Sequence, residues 1–242
     1  MKLFCVGCGP GDPELLTVRA VNLIKSADVI FAPTAKEGKP SIALSVVEKY
    51  VSREARTASL VFPMVKDRES LKEYWRRNAD EIAAAVRSGK KVVYLTVGDP
   101  ALYSTWIYVH RELKKDHKDI EVEIVPGIAS MFAIAAKAGI SLAEGEETVA
   151  IVPACYDMDR VRRTASACDT VIFLKDGRYF DSVIAMLGEA GFPESANIAI
   201  AQDISAEKGE ILEMKKLSEL LGKRGPTEKY FSIMVAKKND RG

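Results

Sequence analysis

The residues best suited to chemistry in this chain lie in three short stretches that each carry glycine. They are Gly7-Cys8-Gly9-Pro10-Gly11-Asp12-Pro13-Glu14, Gly98-Asp99-Pro100-Ala101-Leu102-Tyr103-Ser104-Thr105 and Pro126-Gly127-Ile128-Ala129-Ser130. Each follows an apolar, strand-like run and opens toward a helical pattern. The first occupies the place of a dinucleotide-binding loop but departs from the G-x-G-x-x-G spacing, because Asp12 stands where the third glycine is needed. Pro10 also removes a backbone N–H that could cradle phosphate. Asp12 before Pro13 reads as a helix cap followed by proline at the first helical position, so a carboxylate already fills the anion-friendly end. The stretch is a tight turn suited to a flat or cationic ligand, or a plain strand-to-helix turn. Gly98 and Gly127 let main chain approach a ligand closely. Asp99 could accept hydrogen bonds from a ribose or an ammonium group, or cap the helix that follows.

Other reactive residue types point to no chemistry. Cys5 and Cys8 form a CxxC, but zinc needs a second ligand pair, and Cys155 and Cys168 are not spaced to supply one. Both read as small buried hydrophobes. His110 and His117 fall on a basic helix and its exit, and no protein-bound metal is expected.

The elements that must position these stretches alternate strand and helix. Strand-like runs cover residues 3–6, 28–32, 58–62, 91–97, 121–125, 148–152, 170–174, 196–201 and 230–237. Helical spacing covers 14–26, 41–51, 69–88 and 106–115, with Leu16, Ala20, Leu23 and Ile24 on one stripe and Leu71, Trp75, Ile82 and Val86 on another. This pattern predicts an α/β fold of two α/β domains, the first with a mainly parallel sheet and the second with a mixed one. The charged stretch at residues 114–119 suggests a division into 1–118 and 119–242.

Composition narrows the class. The chain has 242 residues, 48% hydrophobic and 29% charged, and 35 basic residues balance 34 acidic ones to leave +1. That balance gives no long-range pull toward nucleic acid or anionic lipid. No apolar run reaches the ~20 residues of a membrane span. The first residues run straight into Gly7 and read as a strand rather than a signal peptide. Four cysteines in such a chain fit free thiols in the cytoplasm.

Taken together, residues 7–17 (GCGPGDPELLT), 94–105 (YLTVGDPALYST) and 125–130 (VPGIAS) resemble the tetrapyrrole (corrin and porphyrin) methylase family, and the likeness extends over nearly the whole chain. Phe62-Pro63-Met64-Val65, Tyr74-Trp75, Tyr103-Ser104-Thr105 and Tyr230-Phe231-Ser232 look like the branch that methylates C20 in cobalamin synthesis, on precorrin-2 or cobalt-factor II. The resemblance implies S-adenosylmethionine as cofactor, with S-adenosylhomocysteine as its product, held in a cleft between the two domains of a homodimer. It places cofactor contacts on Pro10, Val97, Gly98, Asp99, Leu102, Ala129, Ser130 and Leu174, and on Ala201, Gln202 and Phe231. Ala129-Ser130 stands where a hydroxyl-rich pair is common in the family, and Val97 where glycine is frequent.

The methyl donor is a sulfonium and the acceptor carbon belongs to an electron-rich macrocycle, so holding the two in line and excluding water is the main demand. No general base is obligatory for the attack, and no catalytic residue is assigned. Tyr103 could orient the acceptor. Lys36, Lys39, Lys175 and Arg178, in loops after strands, could meet its carboxylates or could be solvated surface charges. Alternatives within the family are another corrin-ring methylase or a uroporphyrinogen methylase. More distant ones are a methylase of a modified histidine on a translation factor and a non-catalytic nucleotide-sensing module.

Overall fold

The computed structural model describes residues 1–65, 67–153, 155–174, 179–202, 211–222 and 232–239. Two compact units divide the chain, Met1–Ala129 and Ser130–Gly242.

In the first unit five strands, β1 (Lys2–Gly7), β2 (Val29–Thr34), β3 (Arg56–Val61), β4 (Val92–Thr96) and β5 (Glu121–Val125), form one sheet in the order β3-β2-β4-β1-β5. Every pairing is parallel. The inner strands β2, β4 and β1 are apolar almost throughout because both faces are covered, whereas the edge strands β3 and β5 carry polar residues such as Arg56, Ser59, Glu121 and Glu123. Alternation along each strand sends Leu3, Cys5, Val29, Phe31, Val92 and Tyr94 to one face. There they meet Ala79, Ile82 and Val86 of α3 (Arg68–Arg87) and Trp106, Val109 and Leu113 of α4 (Trp106–Asp116). Val6, Ile30, Ala32, Val93 and Leu95 take the other face, under Ala20, Leu23 and Ile24 of α1 (Val18–Lys25) and Ala43, Val46 and Val47 of α2 (Ile42–Val47). Trp75 of α3 stacks on Tyr108 of α4 with ring centroids 4.3 Å apart.

Local chemistry moves some helix ends from where periodicity puts them. The pattern at 14–26 is two pieces. Residues Pro13–Leu15 form a single 3₁₀ turn capped by Asp12, whose Oδ1 accepts from Glu14 N at 2.8 Å. Then α1 starts only after Thr17, whose hydroxyl accepts from Ala20 N at 3.1 Å. Likewise α2 is capped by Ser41 and tightens after Val47 into a 3₁₀ turn at Glu48–Tyr50. The first unit also continues past the charged stretch at 114–119. That stretch is the solvated exit of α4, and the chain returns from it to pair β5 with β1 in parallel, so the division falls after Ala129 and not at 118/119.

In the second unit β6 (Val149–Pro153), β7 (Thr170–Leu174), β8 (Asn197–Gln202), β9 (Ile211–Lys216) and β10 (Ser232–Lys237) form a sheet in the order β6-β7-β10-β8-β9. The β6–β7 pairing is parallel and the other three are antiparallel, a mixed sheet. Val171, Phe173, Ile198, Ile200 and Met234 face α6 (Met158–Ser166) and α7 (Phe180–Glu189), with α8 (Leu217–Leu220) at the margin. Ile172, Leu174, Ala199, Ala201, Ile233 and Val235 face Ile134 of α5 (Ser130–Ala138). No described helix is long and apolar enough to cross a membrane.

The last strand ends in a buried lysine. Lys237 is 2% exposed. Its ammonium donates to Ser141 Oγ at 2.7 Å, to Ser141 O at 3.3 Å and to Glu144 Oε1 at 3.3 Å, and pairs with the buried Glu147 at 3.2 Å. These bonds tie the segment after α5 to the sheet. Removing the cation leaves Glu147 buried without its ammonium partner, which by precedent costs about 3–5 kcal/mol. Lys237→Met is therefore expected to lower the urea midpoint strongly, and Lys237→Met with Glu147→Gln to recover part of the loss. An unchanged midpoint in the single variant would show the cluster to be energetically idle.

Candidate functional site

The three glycine-bearing stretches leave the carboxyl ends of β1, β4 and β5, which are adjacent in the order β4-β1-β5. Ligands of open parallel sheets bind at this edge. The loops are joined through main chain. Gly9 and Gly98 form an antiparallel bridge, with Gly98 N donating to Gly9 O at 2.7 Å and Gly9 N to Gly98 O at 3.3 Å. Cys8 N donates to Thr96 O at 2.7 Å. A β-carbon at Gly7 would fall 2.6 Å from Gly127 N and 2.7 Å from Gly98 O, and one at Gly127 would fall 2.2 Å from Gly98 O. Three backbones thus meet where no side chain fits.

Asp99 fastens the same junction. Its Oδ1 accepts from Ala101 N at 2.8 Å, closing a turn within its own loop, and its Oδ2 accepts from Gly127 N at 3.0 Å in the neighbouring loop. A carboxylate offers about four lone-pair sites, so acceptor capacity remains for a ligand after both bonds. Gly98 differs from its two neighbours. Its φ is 69°, the left-handed region, and a β-carbon there would meet nothing within 4 Å. The side of this α-carbon away from the junction is open, so main chain there is accessible to a close approach.

The rest of the β4 loop is bolted from beneath. Ser104 Oγ lies 2.8 Å from Thr96 Oγ1 and accepts from Trp106 N at 3.1 Å, and Tyr94 OH lies 3.2 Å from Thr105 Oγ1. Burial raises the Tyr94 phenol well above its ordinary value. The bolting role of Thr96 and Ser104 was not evident from residue type, since a hydroxyl's partner depends on the fold. Cys5 and Cys8 are both fully buried and belong to the cores on opposite faces of the sheet. Burial pushes the Cys8 thiol up to about 12 and the Cys5 thiol well up also, which makes both poor nucleophiles near neutral pH.

The other residues singled out in the sequence fall as follows. Pro10, Val97 and Leu102 are half-buried in the first two loops, Ala129 is buried and Ser130 is the first residue of α5. Tyr103 is exposed in the β4 loop. Lys36 and Lys39 are exposed in the loop after β2, where the Thr34 hydroxyl donates to both of their carbonyls, at 3.0 and 3.1 Å. In the second unit, Leu174 ends β7 and Ala201 lies near the end of β8, and both register with Ile233 of β10. Their side chains are buried in the core facing α5. Gln202 ends β8. Lys175, Arg178 and Phe231 lie outside the described residues.

The family model of the Tetrapyrrole (Corrin/Porphyrin) Methylases matches residues 2–221. The chain belongs to this family. It is 41% identical over 174 residues to the probable cobalt-precorrin-2 C(20)-methyltransferase of Methanocaldococcus jannaschii, covering 72% of each chain. It is 33% identical over 195 residues to the cobalt-precorrin-2 C(20)-methyltransferase of Salmonella typhimurium, covering 81% of each. Among solved structures, a cobalt precorrin-4 methyltransferase has the same fold, with a TM-score of 0.73 at 21% identity over 98% of this chain and 94% of that one.

The junction predicts opposite outcomes for two alanine substitutions. Gly127→Ala drives a methyl group into Gly98 O and is expected to cost about 2–3 kcal/mol of stability. Gly98→Ala meets only the left-handed backbone penalty, about 1 kcal/mol, and should leave the fold intact. Thermal unfolding of the pair checks this, and equal losses would contradict the geometry.

Proposed function

We propose that this chain is an S-adenosylmethionine-dependent methyltransferase that methylates C20 of cobalt-factor II (cobalt-sirohydrochlorin) or precorrin-2 in cobalamin biosynthesis. The observation that carries the reading is the three-loop glycine junction, with its open α-carbon at Gly98, in a chain whose relatives at 33–41% identity bear C20-methyltransferase names. The first-unit residues that would hold the donor are Pro10, Val97, Gly98, Asp99, Leu102 and Ala129. Ser130, Leu174, Ala201, Gln202 and Phe231 are the second unit's proposed share. When bound, the donor supplies an already activated methyl group.

The protein's own work is then positional. Main chain around Gly98 approaches the donor closely because no side chain intervenes. The Asp99 staple keeps the β4 and β5 loops from separating, so the surface is formed before a ligand arrives and little ordering cost falls on binding. Lys36 and Lys39, with Lys175 and Arg178, would offer ammonium and guanidinium partners to the acceptor's carboxylates. Loss of the ring proton after attack needs only a weak base or water, and no residue is assigned to it. Any cobalt is carried by the acceptor. A homodimer in the cytoplasm accompanies this reading, and light scattering coupled to size-exclusion chromatography tests the assembly.

Calorimetry in the presence of a chelator should show binding of S-adenosylmethionine and S-adenosylhomocysteine. Binding of a dinucleotide instead of either would remove the assignment. Gly98→Val should stay folded and lose donor binding, since a branched side chain would keep a ligand from the main chain there; normal donor affinity in that variant would place the donor elsewhere.

The cobalt-bearing acceptor is the preferred one in this reading, because the relatives at 41% and 33% identity carry cobalt-precorrin-2 names. Mass spectrometry should show one added methyl, with kcat/KM higher for cobalt-factor II than for the metal-free ring. A tenfold preference for the metal-free acceptor, about 1.4 kcal/mol in transition-state binding, would reverse the choice while leaving the donor site and the C20 chemistry in place.

A further inference from the structure

Strand β4 ends on a hydroxyl that its surroundings do not require. Val92, Val93, Tyr94 and Leu95 are buried against the helices on either face, and Thr96 after them is 4% exposed. A valine has nearly the same shape, suits a buried parallel strand and needs no hydrogen-bond partner. The Thr96 hydroxyl instead meets Ser104 Oγ at 2.8 Å, and Ser104 is itself buried.

Ser104 is placed to transmit this bond. Thr105 holds the N-cap position of α4 without a side-chain cap bond, and Ser104 Oγ accepts from Trp106 N at 3.1 Å in its stead. The main chain of Thr96 is fixed to the first glycine stretch at the same time. Thr96 registers with Gly7 in the β1–β4 pairing, and its carbonyl accepts from Cys8 N at 2.7 Å. One residue thus joins the β1 loop through its carbonyl and the far end of the β4 loop through its hydroxyl. Residues 97–103 run between these anchors. The near half of that span is held at the junction by the Gly9–Gly98 bridge and the two bonds of Asp99. The far half carries Leu102, whose N donates to Asp99 O at 3.2 Å, and leads to Ser104.

A buried hydroxyl pair adds little stability over an apolar pair of the same shape. What it adds is direction, because a satisfied polar pair fixes one geometry where apolar contact would let a loop slide. We propose that Thr96 is a positioning residue for the methyl donor. Its hydroxyl acts through Ser104 to hold the second half of the β4 loop, and with it Leu102, in place beside Gly98 and Asp99. This rests on the reading of the β4 loop as part of the donor site.

The test titrates S-adenosylhomocysteine into wild type, Thr96→Val, Thr96→Ser, Ser104→Ala and the double variant Thr96→Val with Ser104→Ala. Thr96→Val is expected to raise Kd about tenfold, because the loop must then be ordered on binding. Its urea midpoint should stay close to wild type, since Ser104 Oγ keeps its bond from Trp106 N. Thr96→Ser retains the hydroxyl and should restore most of the affinity. The double variant should bind no worse than Ser104→Ala alone, as expected of two groups that act through one bond. Val86→Ala leaves a cavity under α3 and should lower the midpoint with Kd within about twofold of wild type. Amide exchange across residues 97–103, measured without ligand, should be faster in Thr96→Val, a readout that does not depend on the donor reading. Unchanged exchange or an unchanged Kd in Thr96→Val overturns the proposal. So does a Thr96→Ser variant as weak as Thr96→Val, which would assign the effect to packing, and so do losses that multiply in the double variant. A Val86→Ala variant that binds as poorly as Thr96→Val overturns it too, since affinity would merely follow stability. A wild type that fails to bind S-adenosylhomocysteine counts instead against the proposed function.

Discussion

The close approach of three backbones at Gly7, Gly98 and Gly127 is the constraint around which the first unit is arranged. Neighbouring strands are about 4.8 Å apart, and β1 lies between β4 and β5. For the β4 loop to touch the β5 loop it must pass directly over the end of β1. It does so with Gly98 O facing the α-carbons of Gly7 and Gly127, at distances that leave no room for a β-carbon. The strand order and the two crowded glycines are therefore one requirement expressed at two levels. A β1 at the sheet edge would leave β4 and β5 as direct neighbours and need no such crossing.

Once the loops touch, polar groups set their stiffness. Asp99 satisfies one N–H in its own loop and one in the next, and the Thr96–Ser104 pair anchors the far end of the β4 loop from a buried position. Each such bond is worth about 1 kcal/mol net, little for the fold as a whole. Their effect is local: they remove the freedom that a ligand would otherwise have to freeze. They also leave residues 102 and 103 a single course, which is how a tyrosine comes to persist in the left-handed region.

Strands and long helices were legible in the sequence because both periods are strong there. Leu3, Cys5, Val29 and Phe31 against Val6, Ile30 and Ala32 show the two-sided burial directly, and α3 follows its apolar stripe almost residue for residue. The domain division was less legible. A charged run at 114–119 looks the same at a domain boundary and at the solvated end of a helix, and only the β1–β5 pairing tells them apart. Strand β9 also went unread, since Glu213, Lys215 and Lys216 dilute a six-residue segment. At the junction, the glycines announced a close approach without naming their partners. Asp99 was readable as cap or ligand acceptor, and its bond to Gly127 N spans 28 residues of sequence, beyond the reach of any local pattern.

In the second unit, two strand-end positions are committed to the core. Leu174 and Ala201 flank Ile233, and their side chains are committed to the core facing α5. Neither side chain can donate or accept a hydrogen bond, so a polar contact from either position must come from main chain. The same holds at Gly98. A surface built from main-chain groups is set by the course of the backbone and is indifferent to most side-chain substitutions that leave that course unchanged. The fold itself is retained at 21% identity in the cobalt precorrin-4 methyltransferase structure. Side chains that project from loops outside the junction can vary without disturbing the backbone course beneath them. Met64 and Val65, exposed on the loop after β3, are of that kind.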